Sequence, residues 1–233
     1  MHISRAPSPQ CLDRRVTTVL QATALLVLAV SGIQSARAAE VYGGLGFPGV
    51  MVGYAHPLSD RATLRADYAT LGTRSDTTTE EGITYNTKIK ASRLGLFADW
   101  FVSPGSSFRL TGGLTSNQYK VDLSGGGTGS TITIGGSTYA LAAGDRFDVK
   151  VKFPSTTPYL GVGWGHQKAD KGWGFHADVG GSIGKAKVTT TVSGALAAQV
   201  SQADIDAETA EIRDGVGQIR FVPQLTVGVS YRF

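Results

Sequence analysis

Apolar and polar residues alternate along much of the chain with a period of two. The last nine residues read LTVGVSYRF, and every second one, from Leu225 to Phe233, is apolar. The residues between them are Thr226, Gly228, Ser230 and Arg232. Because successive side chains of a strand point to opposite faces, this segment predicts a strand with one apolar face and one small or polar face.

The same alternation recurs in five further segments. Their apolar rows are Leu64/Ala66/Tyr68, Leu94/Leu96/Ala98/Trp100, Phe108/Leu110/Leu114, Leu160/Val162/Trp164 and Trp173/Phe175/Ala177/Val179/Ile183. The alternate positions hold mostly glycine and single charges of both signs, whereas a water-facing sheet would be richer in Lys, Glu and Thr. This mixture favours a barrel with apolar residues towards lipid and polar residues towards the lumen. A soluble β-sandwich is the alternative, since its strands also alternate.

The connections between these segments are alternately short and long. The short ones lie around Ser59-Asp60, Pro104-Gly105 and Ala169-Asp170, and the long ones span 72–86, 124–156 and about 185–218. Bacterial outer-membrane barrels have short turns in the periplasm and long loops outside. The pattern therefore predicts an all-β fold, an eight-stranded antiparallel up-and-down transmembrane β-barrel with both termini in the periplasm.

The first hairpin is the open point of this strand count. Segment 41–58 must leave and return through a sharp outer turn near Phe47-Pro48-Gly49, where proline and glycine are suited to a turn. Two strands here give eight in all. One long bulged strand would give seven, which breaks the even-number rule of bacterial barrels.

The N-terminal residues have the features of an export signal. Basic Arg5, Arg14 and Arg15 precede an uncharged, largely apolar run over 16–33, and Ala36-Arg37-Ala38 fits a small-x-small cleavage site. We therefore predict a signal peptide over 1–38 and a barrel domain over 39–233. The only cysteine, Cys11, lies in the signal, so the mature chain has no thiol.

Charge narrows the function classes. Four of the 22 Lys and Arg residues, but only one of the 18 Asp and Glu residues, lie in 1–38, so the mature chain is nearly neutral. The sequence pI of about 9.2 therefore gives no support to nucleic-acid binding. No apolar stretch of about 18 residues remains after cleavage, and no transmembrane helix is predicted.

These features together resemble the small outer-membrane β-barrel family of Gram-negative bacteria, the OmpA-transmembrane, OmpX and OmpW type. The terminal GVSYRF carries the resemblance in residue identity. In that family the terminal aromatic strand is the signal recognised by the barrel-assembly machinery, which implies that role for Tyr231 and Phe233. The resemblance also implies an outer-membrane location, contact with lipid and lipopolysaccharide, and periplasmic chaperones during biogenesis.

The alternation places a group of charged residues in the lumen: Arg65, Asp67, Arg93, Asp99, Arg109, Asp178, Arg220 and Arg232. An eight-stranded lumen is only wide enough for its own side chains, and buried charges need partners. The structural interpretation is that these residues form salt bridges and plug the lumen. The alternative is a narrow polar path for small solutes, in which the excess of basic residues would favour anions.

A row of aromatics lies beside the short turns: Trp100, Phe108, Trp164, Trp173 and Tyr231. Amphipathic rings favour the boundary between headgroups and hydrocarbon, so these residues are predicted to lie at the membrane interface.

No catalytic, cofactor or metal site is predicted. Lipid A-modifying barrel enzymes work at the outer end, whereas His56, His166 and His176 lie close to periplasmic turns. His176 and Asp178 are two apart on one strand, and a role in lumen packing is favoured for them. The string Gly44-x-Gly46-x-x-Gly49 matches a dinucleotide fingerprint only by chance, because Pro48 and a strand pattern exclude the required helix.

The long connections contain two further predicted elements. Residues STITIGGSTYAL predict a small hairpin turning at Gly135-Gly136. In the last connection Ser201 is placed to cap a helix, Ile205, Thr209 and Ile212 have helical spacing, and Gly215 would end it. We expect this helix to pack on the mouth of the barrel.

The sequence thus predicts an integral outer-membrane protein with a structural or loop-mediated surface role and no catalysis. A narrow channel is the alternative, and a lipid A-modifying enzyme comes third. The family resemblance does not decide among them, because its members have many functions. The sequence identifies no surface ligand.

Overall fold

The computed structural model describes residues 39–80, 82–166, 171–215 and 220–233, so the predicted signal peptide over 1–38 lies outside the described residues. The strands are β1 (Glu40–Phe47), β2 (Gly49–Ser59), β3 (Ala62–Glu80), β4 (Ile83–Phe101), β5 (Phe108–Asn117), β6 (Lys120–Gly127), β7 (Thr131–Ile134), β8 (Ser137–Ala140), β9 (Arg146–Lys152), β10 (Thr156–Trp164), β11 (Gly172–Ile183), β12 (Lys187–Ser193) and β13 (Phe221–Arg232). A 3₁₀ helix spans Ala195–Ala198, and α1 spans Gln202–Gly215.

Eight of these strands form a closed antiparallel ring. Its order is β1, β2, β3, β4, β5, β10, β11 and β13, and β13 pairs with β1 to close it. Every neighbouring pair follows chain order, which is the predicted up-and-down arrangement. We call the end with the short β2–β3, β4–β5 and β10–β11 connections the turn end, and the opposite end the loop end.

The first hairpin consists of two strands. β1 pairs with β2 from Glu40 opposite Ala55 to Gly46 opposite Gly49, so 41–58 is not one bulged strand. Gly49 has φ +107°, and a Cβ there would come 2.2 Å from the Thr70 carbonyl oxygen. Glycine is therefore required for the tight turn near Pro48.

The long connections are mostly strands, not solvated loops. The distal half of β4 pairs with β6, β6 pairs with β9, and β9 pairs with β12, so an outer sheet extends from the ring. β3 and β4, at 19 residues each, run through both parts. The predicted hairpin at Gly135-Gly136 is present as β7 and β8.

We call the outer sheet, together with β7, β8, the 3₁₀ helix and α1, the outer region. This region has a hydrophobic core of its own. Its buried members are Ile83, Ile134, Leu141, Leu196 and Val200. The predicted helix is present as α1, and the Ser201 hydroxyl accepts the Asp204 N–H at 3.1 Å. The expected packing on the mouth was wrong, because α1 lies on β12 and β7, where Ile205 joins this core.

No helix among the described residues is long and apolar enough to cross a membrane.

Candidate functional site

The interior of the ring, which we call the lumen, is polar, and the exterior is apolar. Along β4, Leu94, Leu96 and Trp100 are 54%, 59% and 55% exposed, whereas Arg93 and Asp99 are 4% and 2% exposed. The strand period of two produces this division, since it sends neighbouring side chains to opposite faces. The lumen is therefore the site where chemistry could be concentrated.

The centre of the lumen holds two arginines between two aspartates. Arg65 donates to Asp99 through Nε at 2.5 Å and through a terminal nitrogen at 3.1 Å, and it reaches Asp178 at 3.2 Å. Arg109, which has no exposed surface, donates to Asp178 at 2.5 Å and lies 3.2 Å from Asp99. Each carboxylate thus contacts both guanidinium groups, and the four charges cancel.

Glycine makes room for these ion pairs. A Cβ at Gly163 would come 2.7 Å from the Arg109 guanidinium and 2.8 Å from an Asp178 oxygen. Glycine at position 163 is thus required by the large charged side chains beside it.

A second ion pair lies further towards the loop end. Arg93 donates to Asp67 at 2.8 Å, and the Tyr42 hydroxyl donates to the same carboxylate at 3.3 Å. The Arg93 guanidinium also lies 5.1 Å from the centre of the Phe97 ring, within cation–π range.

The third cluster lies near the turn end. Arg232 donates to Glu40 at 3.0 Å and to the backbone oxygen of His166. The Nδ1 atom of His166 lies 2.6 Å from the other Glu40 oxygen. Glu40 was not among the predicted lumen residues. It is two residues before Tyr42 on β1, so both side chains lie on the lumen face; we call residues an even number apart on a strand residues of the same parity.

One predicted lumen charge is misplaced. Arg220 is exposed and directly precedes β13, outside the ion-paired clusters. It has the parity of Arg232, but β13 begins only at Phe221, at the loop end of the ring. Parity predicts the face of a strand and does not predict where the enclosed part of that strand ends.

Two histidines and an aspartate form the possible metal-ligating group among the described residues. Donor atoms of His166, His176 and Asp178 lie within 4.8 Å of one another, and His176 has no hydrogen-bond partner on either ring nitrogen. His56 does not join them. Asp178 is already bound by two guanidinium groups, which oppose a dication there. An ordered water would satisfy the free nitrogens, and the absence of a metal stays a prediction.

Uncharged polar side chains fill the lumen towards the loop end. Thr115 lies 2.8 Å from the Thr157 hydroxyl and 2.9 Å from Ser182, while Gln224 donates to Ser182 at 2.9 Å. The predicted lumen residues are all charged, so this layer was not predicted, although the same alternation places these residues inside.

The lumen contains little free space. The cavity among Arg65, Asp67, Arg93 and their neighbours measures about 10 Å³, which is room for about one water. A larger cavity of about 190 Å³, lined in part by Glu40, His166 and Arg232, lies near the turn end.

The predicted interface aromatics lie on the outside of the ring. Trp100, Trp164 and Trp173 are 55%, 58% and 70% exposed, and Phe108 and Tyr231 are each 40% exposed. Trp164 is opposite Phe108, and the rings of Trp173 and Tyr231 are 5.3 Å apart. All five lie at the turn end of their strands, and all except Tyr231 adjoin a short turn.

Comparisons with known proteins give a structural likeness only. No protein-family model matches the sequence, and no curated protein matches it. The crystal structure of Acinetobacter baumannii CarO is similar, with 18% identity, a TM-score of 0.51 and coverage of 84% of this chain and 97% of that chain. That of A. baumannii CarO2 has 18% identity, a TM-score of 0.53 and coverage of 84% and 98%. At this identity the likeness shows the fold alone.

Proposed function

We propose that the protein is an integral outer-membrane β-barrel with a filled lumen, acting as a structural or surface-exposed component without catalysis. In this proposal the eight-stranded ring spans the membrane. The turn end faces the periplasm and the outer region faces outside, in line with the rule for bacterial barrels.

The inverted burial of the ring carries this proposal. Apolar side chains such as Leu96, Leu225 and Phe175 are 59%, 56% and 81% exposed, while Arg109 and Asp99 are buried. Soluble monomers rarely expose apolar patches of more than a few hundred Å². Lipid is the environment in which such a surface is stable, and the likeness to CarO, an outer-membrane protein, supports the same location.

The filled lumen favours a plug over an open channel. The central arginines and aspartates cancel one another's charge, and the central cavity has room for about one water. We expect purified protein to be silent in planar bilayers, while folded and unfolded forms migrate differently on gels before and after boiling. A chain that is soluble without detergent would contradict the membrane proposal.

A narrow channel is the second candidate, and the cavity at the turn end is the observation that favours it. That cavity is lined by Arg232 and Glu40, which would form a charged vestibule if the ion pairs beyond it opened. Stable single-channel steps from wild-type protein would favour the channel over the plug.

The aromatic end of β13 supports an assembly role for Tyr231 and Phe233. These side chains are 40% and 51% exposed, so their main contribution is not to a buried core. We expect deletion of Phe233 to reduce membrane yield strongly with little effect on the stability of protein refolded in detergent. Normal yield of that variant in cells would argue against recognition by the assembly machinery.

A further inference from the structure

Four lysines lie directly opposite one another across the outer sheet. Lys90 of β4 pairs with Lys120 of β6, Lys120 pairs with Lys152 of β9, and Lys152 pairs with Lys187 of β12. Directly opposed residues of antiparallel strands have their side chains on one face, with Cβ atoms roughly 5 Å apart. We call these four residues the lysine row.

This arrangement is unfavourable in the protein alone. Like charges directly opposite each other destabilise a sheet. Within the described ranges, no ion pair joins a carboxylate to any of the four lysines, and Asp122 on the same face is 3.9 Å from Lys150 in the next row. The row therefore has the properties of a site for an anion carrying more than one negative charge.

The height of the lysine row along the ring indicates which anion it would meet. Lys90 is on the same face of β4 as the exposed Leu94 and Leu96. The four residues from Leu94 to Lys90 span about 13 Å along the strand. If the ring spans the membrane as proposed, the row lies just beyond the hydrocarbon, at the level of the headgroup phosphates of the outer leaflet.

The apolar surface next to the row is that of Leu94 and Leu96 on the same face of β4. A recess of about 250 Å³ lies on the other face of the outer sheet, because Val121 and Phe153 in its lining directly follow Lys120 and Lys152 and point away from them. Cations beside the exposed leucines suit an amphiphile that has phosphate groups and acyl chains, rather than a soluble anion.

We propose that the lysine row binds lipid A of lipopolysaccharide, with its phosphates on the ammonium groups and its acyl chains along the exposed Leu94 and Leu96. The inference rests on the proposed outer-membrane location. It adds the residues and the chemical groups that make the contact, and it gives the outer sheet a function.

The test compares two variants that lose the same number of charges. The first is Lys90→Gln/Lys120→Gln/Lys152→Gln/Lys187→Gln. The control is Arg61→Gln/Arg74→Gln/Lys171→Gln/Arg213→Gln, which changes exposed cations outside the row. Both are refolded in detergent, checked for heat-modifiable migration, and titrated with fluorescent lipopolysaccharide at fixed salt.

We expect the lysine-row variant to lose at least about tenfold in affinity, since each cation near an anionic lipid surface strengthens binding several-fold. The control should bind within about twofold of wild type. Lipid A lacking one phosphate should bind wild type more weakly than the bisphosphorylated form, with a smaller difference for the lysine-row variant.

Equal binding by wild type and the lysine-row variant would overturn the inference, as would an equal loss in both variants. Either result, obtained with heat-modifiable protein, leaves the proposed barrel intact. Loss of heat modifiability in wild type would instead contradict the barrel itself.

Discussion

The ring and the outer region bury opposite kinds of side chain. In the ring Arg109 has no exposed surface while Leu96 is 59% exposed, whereas in the outer region Leu196 has no exposed surface. β3 and β4 pass through both regions. If the ring spans the membrane as proposed, the burial of one strand follows the medium around each part of it, lipid for the ring and water for the outer region.

The two interiors are also held together by different forces. The ring interior depends on hydrogen-bonded ion pairs, in which removal of one partner leaves a buried charge. The outer interior depends on apolar contact around Leu196 and Ile134, in which removal of a side chain leaves a cavity. The two regions should therefore respond differently to the same class of substitution.

The largest expected effect is loss of a carboxylate in the lumen. Asp178→Ala leaves Arg65 and Arg109 with one carboxylate between them. Breaking a buried pair typically costs about 3–5 kcal/mol. We expect the free energy of unfolding in detergent, followed by urea titration, to fall by about that amount.

A surface pair provides the control for this substitution. Asp122 lies 3.9 Å from Lys150, and their side chains are 41% and 65% exposed. Asp122→Ala should change the free energy of unfolding by less than about 1 kcal/mol. Partial rescue of Asp178→Ala by a second change, Arg109→Leu, would attribute the loss to an unpaired charge. Equal costs for Asp178→Ala and Asp122→Ala would contradict the buried plug.

A smaller and local effect is expected in the outer core. Leu196→Ala should cost about 2–4 kcal/mol of the local stability of the outer region because a cavity is left. Hydrogen exchange should increase in β12, β7 and β8, while heat-modifiable migration of the ring is retained. Leu96→Ala is the matched control, since the detergent around the refolded ring can fill the space left on its outside. Unfolding of the ring by Leu196→Ala would contradict the separation of the two regions.

The ring was predictable from the sequence because its signal is local. A period of two can be read strand by strand. It predicts that Trp100 and Leu96 lie on the outside of the ring and Arg93 on the inside. Short turns and long connections then gave the strand order. The first hairpin needed the structure only to establish two strands rather than one.

The outer region was less predictable because its order depends on contacts distant in sequence. Residues 120–127, 146–152 and 187–193 are strands because they extend the edge of β4, one after another. Neither turn chemistry nor composition indicates that order. The helix was predicted from Ser201 and its apolar spacing, but its neighbours were not.

The lumen partners were missed for a related reason. Alternation assigned Asp178 and Arg109 to the same face, yet it did not say that Asp178 contacts Arg65, 113 residues away. Glu40 is the first residue of β1 and precedes segment 41–58, in which the first hairpin is predicted. Arg220 lies beyond the rim of the ring, and alternation alone gives no signal for the position of that rim.

The smallest expected effect is the response of the outer region to pH. Backbone N–H groups of Leu196 and Ala142 donate to Asp145 and lower the pKa of its carboxyl. Hydroxyl groups of Ser201 and Tyr139 lower the pKa of Asp204 in the same way. Because both folded pKa values lie below the unfolded value of about 3.9, the stabilisation is complete above that value and is lost only as pH falls through the folded pKa values.

Hydrogen exchange over 195–200, corrected for the intrinsic rate, should therefore be constant from about pH 8 to 5 and increase only below about pH 4. Asp145→Asn should weaken protection across that whole range, since the neutral amide is the poorer acceptor for the two N–H groups. A loss of protection in wild type between about pH 8 and 5, where both carboxylates stay ionised, would contradict this account.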